Sequence, residues 1–247
     1  MITRYGWLGV IASMLLLWWL LTSSGAVDSP LVPSPSRLLD ATQEASEGGR
    51  LWLDIRTTLG ELAAAVGLFV VVGTVLGVAM GSGERRFGIF NGPVATWFAM
   101  PKITVLPVFV LAFGLGFQQK VLFGALYGLF PLVMNTMVGA RAVRPVHTQL
   151  FDAAGAGQVF RAVRLTIPSM LPYFLTGLRI GYVYAGVGVL LAEMYVSTAG
   201  LGQALIGAAD QPVLDQFWVF VLASSAILVI GAGILGLIEY RLAKWRV

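Results

Sequence analysis

Residues 149–172 read QLFDAAGAGQVFRAVRLTIPSMLP, a basic segment that is rich in small residues and closed by two prolines. Apolar runs lie on both sides of it, and runs of about 20 apolar residues have the length of a membrane-spanning helix. A polar, helix-compatible segment between two such runs, on the positively charged side of a membrane, is placed to contact something in the cytoplasm. The segment therefore predicts a membrane component that is driven or gated by a soluble partner.

The composition indicates an integral membrane protein. Of the 247 residues, 57% are hydrophobic and only 11% are charged, whereas a soluble protein of this size needs a much larger polar shell. The absence of cysteine excludes disulfides and thiolate metal sites, and the single histidine, His147, argues against a histidine-built metal centre or Ser-His-Asp catalysis. The net charge of +4 does not indicate nucleic-acid binding, because the basic residues follow membrane topology.

Six apolar segments predict six membrane-spanning helices, at residues 7–27, 57–80, 103–117, 121–138, 173–192 and 217–238. The third segment is short and begins after Pro101, so we expect it either to be tilted or to be continued by the helix-like residues 87–100. With six spans, both termini lie on the same side of the membrane.

The charged residues indicate which side that is. One face of the predicted spans collects most of the basic residues: Arg4, Arg85, Arg86, Lys102, Arg141, Arg144, Arg161, Arg164, Arg241, Lys244 and Arg246. The other face holds fewer basic residues and most of the acidic ones: Arg37, Arg50, Arg56 and Lys120, with Asp28, Asp40, Glu44, Glu47, Asp54, Asp210 and Asp215. The positive-inside rule therefore predicts cytoplasmic termini and a cytoplasmic 149–172 segment.

The first span has a competing interpretation as a signal peptide. Arg4 supplies a positive start, and Ser24, Gly25 and Ala26 resemble a cleavage site. The apolar stretch is long for a signal peptide, however, and its removal would leave five spans. We therefore expect a retained helix.

After this helix, the proline-rich residues 30–36 predict an extended chain. Ser36 is expected to cap a short helix that runs to Ser46 over the outer face of the bundle.

The run of small residues at 152–157 favours contact with a partner. An acidic residue near a helix start, here Asp152, complements the helix dipole, and small side chains allow another surface to approach closely. Pro168 and Pro172 are expected to end the segment and to set the entry angle of the next span. The alternative is an ordinary connecting loop with a surface helix; the length and the proline ending favour partner docking.

This segment resembles the "EAA" loop of ATP-binding-cassette importer permeases. Gly155 is followed after nine residues by Leu165, then by Ile167 and Pro168, in the order of that motif. The Glu-Ala-Ala of the motif would fall at residues 149–151, whereas the similar triplet that begins at Asp152 lies three residues later.

Further segments resemble the nitrate/sulfonate/taurine subgroup of these permeases, and they occur in the expected order. They are PSPS at 33–36, MPKITVLPVF at 100–109 with FGLG at 113–116, LPYFLTGLRI at 171–180, and AEM at 192–194 followed by GLG at 200–202. The resemblance covers most of the chain from Leu31 onward and includes the basic C-terminal tail.

The resemblance implies an all-α integral membrane protein with about six transmembrane helices and a cytoplasmic coupling helix, similar to type I ABC importers. It implies a single permease domain over residues 1–247, with a coupling loop at about 149–168 and periplasmic segments at about 28–54 and 194–216. The implied partners are a second copy of the chain, two cytoplasmic ATPase subunits, a periplasmic or lipid-anchored solute-binding protein, and the lipid bilayer of the inner membrane.

The implied contact with the ATPase falls on seven residues: Asp152, Ala153, Ala154, Gly155, Ala156, Gly157 and Arg161. The chain has no G-x-x-x-x-G-K-[ST] phosphate loop. We therefore expect it to be a non-catalytic subunit that binds no cofactor or metal, with ATP and Mg on the partner ATPase.

Four residues are candidates for the translocation path. Glu193 and Met194 end the fifth span, where a carboxylate is costly unless it lines the path, clamps a structural contact or faces solvent. Arg179 in the same span can snorkel, form an ion pair or bind an anion. Asn135 in the fourth span can contact substrate, although interhelical hydrogen bonding is more common.

Glycine spacings at 73, 77 and 81, at 124 and 128, and at 177 and 181 predict close helix packing within one subunit.

The sequence as a whole favours the permease subunit of an ATP-driven importer, for a small organic or inorganic anion such as nitrate or a sulfonate. The alternative is an ion-coupled carrier or channel that needs no ATPase. It predicts ionisable residues deep in several spans, and few are present beyond Arg179 and Glu61. A membrane enzyme is third, because no catalytic set is evident.

Overall fold

The computed structural model describes residues 6–24, 29–143 and 145–242, and these residues form helices joined by short turns. The α-helices of this part are α1 (Gly6–Ser23), α2 (Pro35–Ser46), α3 (Arg50–Gly81), α4 (Glu84–Ala99), α5 (Leu106–Phe113), α6 (Phe117–Ala140), α7 (Pro145–Ala153), α8 (Gln158–Arg161), α9 (Ile167–Val196), α10 (Leu201–Ala209) and α11 (Asp215–Leu242). Three other helical turns lie at Glu47–Gly49, Lys102–Val105 and Ala162–Thr166. The predicted all-α class is confirmed. Several residues named above lie outside the described residues: Arg4, Gly25, Ala26, Asp28, Arg144, Lys244 and Arg246.

Three long helices form the centre of the bundle, with α6 packed between α3 and α9. Their facing side chains make one apolar core, which includes Leu62, Phe69, Leu132 and Val189. This core explains why the three helices have a buried face although their sequences are apolar on every side.

The glycines with helical spacing lie in these contacts. A Cβ on Gly77 of α3 would stand 2.5 Å from the Cβ of Thr136 in α6. On the other side of α6, a Cβ on Gly128 would stand 2.8 Å from the carbonyl oxygen of Gly181 in α9. Real Cβ atoms do not approach other atoms so closely, so the glycines are what lets the backbones meet. Packing within one chain, as predicted, accounts for them.

The third predicted span is a bent pair of helices. After Pro101, the turn Lys102–Val105 and α5 continue at 83° to α4. The eight residues of α5 reach only about 12 Å, too short for a bilayer core. Proline disfavours helix in the residue before it and cannot donate a helical hydrogen bond, which explains the break. A continuous span over residues 103–117 was therefore wrong, because Gly114 ends α5 and Phe117 already begins α6.

Six spans were predicted, and the described helices provide four or five that are long and apolar enough. By length and composition, α3, α6, α9 and α11 can each cross a membrane, and the bent pair counts as a fifth if it is one span. The first predicted span corresponds to α1, an apolar helix of 18 residues. α3 is longer than predicted, since its 32 residues extend about 48 Å and carry its first turns beyond a bilayer core.

The start of α9 also differs from the prediction. Pro168 lies in the first turn of α9, and Pro172 lies inside the helix. Neither proline ends the preceding segment, because the helix already runs on from Gln158, and a local π-helical turn such as Ala162–Thr166 allows a helix to accommodate proline. The turn Ala162–Thr166 instead joins α8 to α9 as continuous helix.

One end of the bundle is covered by α2, which packs on α10 and α11 through the cluster that contains Ala41. An ion pair of 2.8 Å between Arg37 and Asp215 fixes α2 to the start of α11. The cap of α2 is Ser34, whose Oγ accepts a hydrogen bond from the backbone N–H of Arg37 at 3.4 Å. The predicted cap, Ser36, was wrong, since that residue already lies inside the helix.

The opposite end of the bundle carries basic residues of the predicted cytoplasmic face that the structure describes. There Arg141, after α6, pairs with Glu84 at the start of α4 at 3.1 Å. Lys102 was assigned to this face wrongly: it lies inside the bundle, with only 6% of its surface exposed. Lys120 and Asp54 were assigned to the other face and do lie near that end, but both are buried in protein.

Candidate functional site

The segment between α6 and α9 projects from the basic end of the bundle as α7, a turn and α8. Asp152 lies in the last turn of α7, so its predicted place at a helix start was wrong. Its carboxylate pairs instead with Arg161 of α8 across the turn. The rings of Phe151 and Phe160 add a second contact between the two helices, with centroids 6.0 Å apart.

The turn itself is a Schellman-type end of α7. The N–H of Ala156 donates to the carbonyl oxygen of Phe151, and that of Gly155 to the carbonyl oxygen of Asp152, both at 3.0 Å. Gly155 has φ 66°, the left-handed conformation that glycine adopts without a Cβ penalty. The run of small residues is therefore explained first as a helix end that folds α8 back onto α7.

The segment presents apolar side chains to its surroundings. Val159 is 79% exposed and Leu150 is 61% exposed, and Phe160 and Val163 are also exposed. Among the predicted coupling residues, Asp152, Ala153, Ala154, Gly155 and Gly157 are exposed, while Ala156 and Arg161 are half-buried. Exposed apolar side chains gathered in this way mark a site of contact with another protein or with the membrane.

A buried polar cluster lies at the opposite end and includes Glu193. One carboxylate oxygen of Glu193 accepts from the hydroxyl of Thr58 at 2.7 Å, and the other accepts from the N–H of Gly202 at 2.8 Å. Glu193 has no exposed surface. The expected contact with backbone donors of the following loop is present, and the interpretation that Glu193 faces solvent was wrong.

Asp54 of α3 and the same Thr58 complete this arrangement. The N–H of Gly200 donates to Asp54 at 2.8 Å, and the N–H of Leu201 donates to the hydroxyl of Thr58 at 2.9 Å. Together with Glu193 they satisfy three successive N–H groups at the start of α10, which are among the donors that a helix leaves unpaired. Gly200 has φ 110°, and a Cβ there would collide with the Glu193 carboxylate. The GLG sequence is thus a turn, as predicted, shaped by this carboxylate.

The cluster continues through an ion pair between α3 and α6. Lys120 pairs with Glu61, and its ammonium also donates to the hydroxyl of Ser197 at 2.9 Å. Both charged side chains are nearly fully buried. Removing one partner of such a pair leaves an uncompensated buried charge, so the pair fixes α6 and the loop after α9 against α3.

The remaining path candidates lie apart from one another. The Nδ2 of Asn135 donates to the carbonyl oxygen of Pro131 at 2.8 Å. Both residues belong to α6, so this hydrogen bond is not the interhelical one that was considered. Arg179 is half exposed and pairs with Glu239 of α11 at 3.4 Å, which confirms the expected pairing. Met194 is half-buried beside Lys120 in a cavity at the Glu193 end. Their role in a path stays a prediction.

The sequence did not single out Asp54, Thr58 or Lys120. A signal was present, because Asp54, Thr58 and Glu61 recur at spacings of four and three, which places polar side chains along one face of an otherwise apolar helix. The described residues contain no group of three or more His, Asp or Glu side chains arranged to hold a metal ion.

Comparison with known proteins matches residues 62–244 to the model of a family described as "Binding-protein-dependent transport system inner membrane component". The taurine transport system permease of Escherichia coli K12 is 27% identical over 247 residues, 96% of this chain and 88% of that protein. A putative aliphatic sulfonates transport permease of Bacillus subtilis is 24% identical, with 98% and 89% covered. The formylaminopyrimidine transport permease of Halalkalibacterium halodurans is 31% identical, with 76% and 75% covered.

Proposed function

Because the chain belongs to the family of binding-protein-dependent transport system inner membrane components, we propose that it is the permease subunit of an ATP-driven importer of the inner membrane. Two copies of the chain form the translocation path. Two cytoplasmic ATP-binding-cassette subunits drive it, and a periplasmic or lipid-anchored binding protein delivers the solute. Both termini lie in the cytoplasm.

The exposed α7–α8 segment is the observation that supports this function most directly. It stands at the basic end of the bundle, and it offers apolar side chains such as Val159 that no described residue covers. A groove on the partner ATPase that accepts this segment removes that apolar surface from water.

The connection from α8 to α9 supports a coupling role for the segment. Helix continues from Gln158 through the turn Ala162–Thr166 to Val196, without an intervening loop. When ATP binding closes the ATPase subunits, a displacement of α8 passes directly into a helix of the bundle core. The two states then differ in their contacts with the partner, which is what allows nucleotide binding to shift the equilibrium.

Nucleotide chemistry belongs to the partner. The only lysines are Lys102, Lys120 and Lys244, and none of them lies in a phosphate-loop sequence. ATP and Mg are bound by the ATPase, and this chain binds no cofactor of its own.

The proposed solute is a small organic or inorganic anion, such as nitrate or a sulfonate. The relatives named for taurine and for aliphatic sulfonates support this class. Another relative is named for formylaminopyrimidine, and an uncharged solute of that kind is the alternative to an anion.

Gly157→Trp tests the coupling role. Gly157 has φ −63°, and nothing lies within 4 Å of a Cβ added there, so a bulky side chain adds no backbone strain. We expect the tryptophan to spoil the fit to the ATPase, so that ATP hydrolysis continues while uptake of the solute is lost. Both are measured on the assembly in membrane vesicles, together with the amount of chain in the membrane.

The control is Gly67→Trp in α3, an exposed helical position where an added Cβ also meets nothing within 4 Å. It should leave coupling intact. Gly155→Trp is less specific, because its left-handed backbone adds strain. Normal uptake in a variant that combines Gly155→Trp and Gly157→Trp would contradict the coupling role. A chain that purifies without any ATPase subunit would favour the ion-coupled carrier.

A further inference from the structure

Lys102 is a buried cation at the break between α4 and α5. It begins the turn Lys102–Val105 directly after Pro101, where the two helices meet at 83°. Irregular backbone within a bilayer is tolerated only where protein buries it or where it lines a water-filled cavity. A charged residue at such a break is therefore a candidate for contact with the transported solute.

The position of Lys102 along the bundle is set by its neighbours on α6. Its ammonium lies 5.5 Å from the ring centroid of Tyr127 and 5.6 Å from that of Phe130. These residues flank the midpoint of the 24-residue α6, one of the helices long enough to cross the membrane. Lys102 thus lies near half the depth of the membrane, far from either water boundary.

The charge of Lys102 has no acidic partner among residues 6–24, 29–143 and 145–242. Its ammonium donates one hydrogen bond, to the carbonyl oxygen of Phe98 at 2.8 Å. The rings of Phe98, Tyr127 and Phe130 surround it at 5.2 to 5.6 Å. Aromatic faces attract a cation and reduce the cost of burying it.

Lys120 shows the contrasting arrangement. It is buried to a similar extent, but Glu61 neutralises it and Ser197 accepts a further hydrogen bond. An ion pair of that kind leaves little charge to attract a third group. The aromatic cage around Lys102 stabilises the ammonium without neutralising it, so its positive charge remains available to an anion.

An opening lies next to this cage. Thr96, Trp97, Ala99 and Met100 line a shallow concavity beside the break. The Trp97 ring stacks on Phe130 at 6.1 Å, and Phe130 is also part of the cage. One aromatic layer therefore separates the ammonium from the concavity, and the flexible four-carbon stem of lysine can carry the charge across it.

We propose that Lys102 is an anion-binding residue at mid-depth of the translocation path, where its ammonium binds the carboxylate, sulfonate or oxoanion group of the passing solute. This inference rests on the proposed function, in which a second copy of the chain covers the face around Trp97 and encloses the path.

The test compares Lys102→Met, Lys102→Arg and Lys102→Glu in the assembly reconstituted with its ATPase and binding protein. The anionic probes are taurine, ethanesulfonate and nitrate, and the uncharged probe is formylaminopyrimidine. We expect Lys102→Met to reduce uptake of the transported anion by at least about tenfold, the usual effect of losing a charge-assisted hydrogen bond. Lys102→Arg should keep more uptake than Lys102→Met, and Lys102→Glu should abolish it. The melting temperature of Lys102→Met should be unchanged or higher, because a buried cation has been removed.

Lys120→Met is the matched control, since it removes a buried charge that is paired. It should lower the melting temperature by leaving Glu61 uncompensated. Anion uptake that is unchanged in folded Lys102→Met overturns the proposal, and so does a loss of melting temperature that Lys102→Arg does not restore. Uptake of the uncharged probe alone by the wild-type assembly also overturns it, while leaving the importer function standing. Failure to co-purify with any ATPase overturns the proposed function itself.

Discussion

Glu193 holds together two helices that are far apart in the sequence. Its carboxylate accepts from Thr58 of α3 and from Gly202 at the start of α10. A fully buried carboxylate is costly unless its oxygens are hydrogen-bonded. Here both oxygens are, so the geometry favours a structural role, with Glu193 fixing the loop that follows α9.

Glu193→Gln and Glu193→Ala separate this structural role from an electrostatic one. The glutamine keeps the size and can still accept from Gly202 while its amide donates to Thr58, so transport should be nearly normal. The alanine leaves the N–H of Gly202 buried and unpaired, which costs about 1–3 kcal/mol of folding free energy. Uptake and the melting temperature of the purified chain are the measurements. Uptake lost in Glu193→Gln with an unchanged melting temperature would show that the charge itself is needed.

The sequence predicted part of this cluster. Glu193 was identifiable because a carboxylate ends a long apolar span, and the following glycines indicated a turn. Its partner Thr58 was not, because it lies 135 residues earlier and only tertiary packing brings the two together. Lys102 was misassigned for a related reason: charge patterning assumes that basic residues between apolar runs face water, whereas this one is enclosed by aromatic rings.

The contact between α3 and α6 depends on the absence of side chains at a few positions. A Cβ added to Gly77 would lie 3.1 Å from the carbonyl oxygen of Val133 and 2.5 Å from the Cβ of Thr136. Backbone cannot move aside as a flexible side chain can. The two helices would have to separate to admit even one methyl group.

Gly77→Ala should therefore destabilise the chain by about 1–3 kcal/mol, the usual cost of overpacking. Gly67→Ala is the matched control in the same helix, since its added Cβ meets nothing within 4 Å. It should be neutral or slightly stabilising, because alanine favours helix over glycine. Thermal unfolding of the purified chain in detergent measures both. Equal melting temperatures for the two variants would contradict this account of the packing.

Helix positions were more predictable than helix ends. Apolar runs located α3, α6, α9 and α11 because each needs many apolar residues to cross a bilayer. Their ends were missed where the helix continues into protein-covered or aqueous regions, as α3 does with its polar first turns. The start of α9 was missed because proline was taken as a terminator, although a helix accommodates it beside a local π-helical turn.

The chain as a whole is polarised by charge, and this predicts its orientation. The α7–α8 segment and the Arg141–Glu84 pair lie at one end, and α2, α10 and the Glu193 cluster lie at the other. The positive-inside rule puts the first end in the cytoplasm.

Because the chain contains no cysteine, single introduced cysteines report this orientation without background. Gln158→Cys in α8 and Glu47→Cys after α2 both replace exposed residues. In intact cells an impermeant thiol reagent should label Glu47→Cys and leave Gln158→Cys unlabelled until the membrane is opened. Labelling of Gln158→Cys from outside would reverse the assigned orientation.

The polar cluster at the start of α3 also has a consequence for biogenesis. Asp54 and Thr58 are synthesised early, but their backbone partners Gly200 and Leu201 follow 146 and 143 residues later. At typical ribosomal rates of about 5–20 residues per second, that interval lasts roughly 7 to 30 seconds. During it the outer end of the nascent α3 must keep its carboxylates in water, at the membrane surface or in the insertion machinery. The permease can fix this helix in place only after Gly200 and Leu201 have been synthesised, so chains truncated before them lack these hydrogen bonds.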